Sequence, residues 1–125
     1  MADEIIPGDL RDFILGHIDS IGQLEALLLL RAHAHEDWDV RRTAARLYAG
    51  EAEVAEFLTR LCVDGLLACH DGFYRFACQT PDLHGMVDRL AAAYSQHLIP
   101  VTNVIHGKPR RIREFADAFK FRKDR

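Results

Sequence analysis

The dipeptide Asp71-Gly72, set between Leu66–His70 and Phe73–Cys78, is the strongest constraint on what this chain can fold into. An Asp-Gly pair tolerates positive φ at both central positions of a two-residue turn, so it predicts a β-hairpin wherever the flanking residues alternate. Pairing across the turn sets His70 opposite Phe73, Cys69 opposite Tyr74 and Leu67 opposite Phe76. Leu67, Cys69, Tyr74 and Phe76 then share one face, the expected core face. Elsewhere the apolar residues recur at a period near 3.6. The expected class is mainly α with a small β-hairpin.

Start and stop signals divide the helical part. Asp9 is expected to cap a first helix running to about His17, with Leu10, Phe13, Ile14 and Ile18 on one face. Ser20 and Gln23 fit a capping box opening a helix from Ile21 to about His33, apolar over a wide arc through Leu24, Leu27, Leu28 and Leu30. Asp39 caps Val40–Tyr48, with Val40, Ala44 and Leu47 inward, and Ala49-Gly50 breaks that helix. Another runs from Glu51 to Val63 and stops at Asp64-Gly65, where glycine takes the left-handed C′ position. Thr80-Pro81 starts a helix carrying Leu83, Met86, Val87, Leu90, Tyr94 and Leu98 that yields near Pro100. An irregular piece is expected through Gly107. From Pro109 a last helix has Ile112, Phe115, Ala116 and Phe119 at i, i+3, i+4 and i+7.

The 125 residues read as a single domain, 1–125, with a core at 20–80 and a C-terminal helical extension with a basic tail at 81–125. No apolar run approaches the roughly 18 residues that span a bilayer, so no membrane partner is expected. The acidic opening, Asp3 and Glu4, predicts no secretory signal, and three cysteines that cannot all pair favour a reducing, cytoplasmic setting.

Three helices followed by a hairpin within about 60 residues resemble the winged-helix (winged helix-turn-helix) fold of small bacterial transcription regulators. The likeness is carried by Thr43-Ala44-Ala45-Arg46-Leu47, the turn at Ala49-Gly50, and Val54, Leu58 and Leu61 in the next helix. Asp64-Gly65-Leu66-Leu67 then leads into a wing that closes as Phe73-Tyr74-Arg75-Phe76. It covers about residues 20–80, flanked by an N-terminal helix and C-terminal helices. The resemblance implies a non-enzymatic regulator of transcription that binds double-stranded DNA as a dimer, with the Glu51–Val63 helix in the major groove.

Charge runs against that last expectation. With Val54, Leu58 and Leu61 inward, Ala52, Glu53, Glu56 and Arg60 point outward, and Glu51 adds a negative charge at the first turn. Glu56 and Arg60 are spaced for an i, i+4 salt bridge. A helix lying between two phosphate strands should be neutral or basic. Glu51, Glu53, Glu56 and Arg60 are therefore candidates for contact with a basic protein partner. Candidates for DNA contact are Arg41, Arg42, Arg46 and Arg75, together with Lys108, Arg110, Arg111 and Arg113 of the tail. Net charge is −3, yet residues 100–125 carry eight basic side chains against three acidic ones. Phe115, Phe119 and Phe121 interleave with them and suit packing against the body or across a homodimer built on terminal helices.

Other constellations point to bland roles. His33, His35, Glu36, Asp37 and Asp39 read as a polar turn, since His33 and His35 would diverge on a helix. Cys62, Cys69, His70 and Cys78 lack the close cysteine pair of a zinc site and read as small buried thiols. Ser20 and Ser95 lie in no nucleophile elbow, no glycine-rich phosphate loop is present, and no cofactor or catalytic set is expected. His17, His84, His97 and His106 are scattered, the last two flanking Pro100.

Overall fold

The computed structural model describes residues 5–107. The elements run α1 (Gly8–His17), α2 (Ile21–Ala32), α3 (Val40–Leu47), α4 (Glu51–Val63), β1 (Leu67–His70), β2 (Phe73–Phe76), α5 (Pro81–Gln96) and α6 (Leu98–His106). The class is mainly α with one small antiparallel hairpin, as the periodicities predict. The helix expected from Pro109 and the basic tail lie outside the described residues.

Local chemistry sets the boundaries. Ser20 Oγ accepts from the Gln23 N–H at 3.1 Å, Asp39 Oδ1 from Arg42 N–H at 2.7 Å, and Thr80 Oγ1 from Leu83 N–H at 3.1 Å. The capping box at Ser20 is not reciprocal on itself: Gln23 Oε1 reaches one residue further back, to the Asp19 N–H at 2.7 Å. Its amide nitrogen donates to the His17 carbonyl at 2.8 Å, so the buried Gln23 welds the α1–α2 turn. Asp9 is not the cap of α1. That position falls to Pro7, while Asp9 sits in the first turn and holds Arg89 of α5 at 2.7 Å. The hydrogen-bonded guanidinium of Arg89 draws the Asp9 carboxyl down to about 2.

At the end of α4 the Gly65 N–H donates to the Cys62 carbonyl and the Leu66 N–H to the Leu61 carbonyl, both at 3.0 Å. This is a Schellman motif, and Leu61 and Leu66, the two residues its outer bond joins, are both buried. Gly65 stands at φ +81, where a Cβ is strained, and an added Cβ would come within 2.6 Å of the Gln79 amide oxygen. Gly65→Ala should therefore lower stability by about 1–2 kcal/mol, read as a drop in the urea midpoint at unchanged slope.

The hairpin has the register that the Asp-Gly turn predicts, with Leu67 opposite Phe76, Cys69 opposite Tyr74 and His70 opposite Phe73. Asp71 at φ 52 and Gly72 at φ 82 give the paired positive φ of a type I′ turn. Only the base of its core face is buried. Leu67 and Phe76 are inside and Tyr74 is half-buried, but Cys69 is exposed because the ribbon leaves the helices as it nears the turn.

Trp38, between α2 and α3, pairs with the hairpin as a single-residue bridge. The Trp38 backbone N–H donates to the Tyr74 carbonyl at 2.8 Å, and the Tyr74 N–H donates to the Trp38 carbonyl at 2.7 Å. The indole is 2% exposed.

Leu98–His106 form a helix where an irregular piece was expected. Pro100 occupies the first turn of α6, where its missing N–H costs no intrahelical bond. Leu98 accordingly belongs to α6, not to α5, and is 50% exposed.

α2 is the central helix. It packs against α3, α4 and β2, while α1, α5 and α6 pack on one another. Leu24, Leu27 and Leu30 of α2 join Val54, Leu58 and Leu61 of α4 and Ile14, Leu90 and Ile105 from the other group in one buried cluster. Arg31 of α2 holds Asp88 of α5 at 3.0 Å across the boundary. Among the described residues no single helix is long and apolar enough to cross a membrane.

Candidate interaction surface

Burial of Val54, Leu58 and Leu61 fixes the rotation of α4 and turns Glu51, Ala52, Glu53 and Glu56 to solvent. None of the three glutamates enters an ion pair among the described residues. Ala52, Ala55, Thr59 and Val63 make a weakly polar strip between Glu51 on one side and Glu53 and Glu56 on the other, by the 100° step of the helix. Val63 is 76% exposed. An open groove of about 430 Å³ runs along Ala55, Glu56, Thr59, Arg60 and Val63.

Arg60 does not pair with Glu56. Its guanidinium turns to the α1–α2 corner, where it meets Asp19 at 2.8 Å, Asp64 at 3.0 Å and the Gly16 carbonyl at 3.0 Å. Asp64 also takes His17 Nδ1 at 2.9 Å. The half-buried Asp19 and Asp64 carboxylates hold it in preference to the solvated Glu56, so Arg60 is a structural clamp and its charge does not offset the face beside it.

The expected DNA contacts divide in the same way. Arg42 lies 3.6 Å over the Trp38 ring, bonds Glu36 at 2.6 Å and donates to the Asp37 carbonyl at 3.1 Å. Its hydrogen bond holds the Glu36 carboxyl below the usual range. Arg75 of the hairpin is bound to Asp37 at 2.9 Å. Arg41 and Arg46 are exposed and enter no ion pair among the described residues, but five residues apart on α3 they point about 140° away from each other. Lys108, Arg110, Arg111 and Arg113 lie outside the described residues.

At the hairpin tip His70 and Asp71 pair at 3.0 Å, both largely solvated. An open groove of about 410 Å³ follows the outer face of the ribbon past Ala68, Phe73, Arg75 and Asp37. Between α3 and α4, Tyr48 takes φ 55 and is 97% exposed. An aromatic ring held in water on a strained residue beside the acidic helix is the kind of side chain that anchors protein contacts. The sequence offered no sign of it, because left-handed φ at a tyrosine has no pattern.

The remaining clusters stay apart. His33 pairs with Glu36 at 3.2 Å, and among the described residues no group of three histidine, cysteine or acidic side chains is placed to hold a metal. His97 joins α5 to α6 and His106 ends α6, so nine residues of helix put them about 13 Å apart.

The cysteines are not uniformly buried. Cys69 is exposed, whereas Cys62 and Cys78 are partly covered. Burial and the neighbouring Cys69 thiol push Cys62 up to about 11, and burial also raises Cys78. At pH 8 an alkylating reagent should modify Cys62 roughly 10²-fold more slowly than an ordinary exposed thiol, since so little of it is thiolate. The rate at Cys62, followed by peptide mass analysis, should climb as pH approaches 11.

Comparison with protein-family models, with curated proteins and with solved structures gives no match.

Proposed function

We propose that the chain is a non-enzymatic regulator of transcription-factor type whose winged-helix-like core works through protein contact, with α4 presenting its acidic face to a basic protein surface. The order α2, bridge residue, α3, α4, hairpin supports the winged-helix reading. One observation carries the function: Glu51, Glu53 and Glu56 are exposed, and enter no ion pair among the described residues, on the outward side of the helix a DNA reader would insert. Residues 5–107 hold eight arginines and fourteen acidic side chains, and the arginines nearest the hairpin are bound to Glu36 and Asp37. Such a surface repels phosphate and attracts lysine and arginine.

A second reading, a dimeric DNA binder, is favoured by Arg41, Arg46 and the basic residues of 108–125. A gel shift and a pull-down on one preparation separate the two. Protein contact predicts capture of a basic protein, with duplex DNA shifted only weakly and without sequence preference at low salt. A tight shift that weakens by about one log unit per log unit of salt for each phosphate neutralised, and is lost in Arg41→Ala/Arg46→Ala, would favour DNA reading instead.

A further inference from the structure

The described body and the stretch that follows it are opposite in charge. Residues 5–107 sum to −6, whereas residues 108–125 sum to +5 and hold all three lysines of the chain. The stretch also carries Ile112, Phe115, Ala116 and Phe119 at i, i+3, i+4 and i+7, between Arg111, Arg113, Lys120 and Arg122. The outward side of α4 offers the converse pattern: a strip of Ala52, Ala55, Thr59 and Val63 along a groove of about 430 Å³, flanked by glutamates that enter no ion pair among the described residues.

We propose that this face of α4 is the docking site of the chain's own residues 108–125, with Phe115 and Phe119 over the strip and the basic residues against Glu51, Glu53 and Glu56. The proposal rests on the reading of α4 as a protein-contact face and names its resident occupant. Reach allows it. The stretch leaves α6 at Gly107, and with the 112–119 face helical its 18 residues still span about 45 Å, against a radius of gyration near 13 Å for a body of about 100 residues. Tethering supplies an effective concentration in the millimolar range, so a modest interface is filled within one molecule. A basic partner then gains α4 only by displacing the stretch, which makes residues 108–125 an internal competitor.

Zero-length carbodiimide cross-linking of the dilute full chain tests this, since it joins lysines only to carboxylates in contact. Links from Lys108, Lys120 or Lys123 to Glu51, Glu53 or Glu56 are expected in the monomer fraction at low salt. They should fall several-fold at 1 M salt, where the Debye length is about 3 Å. They should fall similarly in Arg111→Glu/Arg113→Glu/Arg122→Glu, which keeps every reactive lysine. Links to carboxylates of residues 5–107 outside α4 in place of these, links confined to a dimer fraction, or a yield unchanged in the triple variant would each overturn the proposal. If α4 links are missing while charge reversal on α4 still abolishes partner capture, the docking proposal fails and the protein-contact reading stands.

Discussion

Trp38→Ala should destabilise the fold by about 3–5 kcal/mol, the range for deleting a buried large aromatic side chain. The ring is 2% exposed, touches His33 at 5.6 Å between centroids and carries the Arg42 guanidinium at 3.6 Å. Alanine opens a cavity there and strips Arg42 of its platform. Trp38→Phe should cost much less, because the indole Nε1 is buried with no hydrogen-bond partner among the described residues and its removal relieves an unsatisfied donor. The backbone bridge to Tyr74 needs no side chain and survives both changes. Urea unfolding followed by circular dichroism gives the two values. Equal losses for alanine and phenylalanine would show that the indole N–H, rather than the volume, stabilises this corner.

Glu53→Lys/Glu56→Lys should leave folding intact, since both side chains are exposed and enter no ion pair among the described residues, yet lower capture of a basic partner by at least about a hundredfold. Like charges brought together across an interface cost several kcal/mol, which is the source of that factor. The same change should strengthen binding to duplex DNA, because two repulsive charges become two that neutralise phosphate. Opposite effects on two ligands from one variant cannot come from loss of structure.

Where structure is decided by neighbours in sequence, it was legible in advance. Ser20, Asp39 and Thr80 cap because their side chains reach an N–H three residues on. Asp71-Gly72 sets the hairpin register because few residues accept positive φ twice in succession. The outward turn of Glu51, Glu53 and Glu56 follows from the spacing of Val54, Leu58 and Leu61.

What escaped depends on distant groups. Trp38 joins the hairpin by one residue, too short for any alternation to announce it. Arg60 ignores Glu56 for Asp19, 41 residues away in sequence. Pro100 reads equally as the end of one helix or the first turn of the next, and only the packing of Val101, Val104 and Ile105 decides for the second. Cys69 looked buried because alternation assigns a face but not how far the ribbon extends beyond the helices that cover it.

The central claim is that α4 meets protein rather than DNA. The most direct test is quantitative affinity capture on the immobilised full chain from nuclease-treated native extract, comparing wild type with Glu53→Lys/Glu56→Lys by mass spectrometry. The account predicts a basic protein held by the wild type despite nuclease and lost on reversal. Capture that disappears with nuclease and is indifferent to the reversal would contradict it.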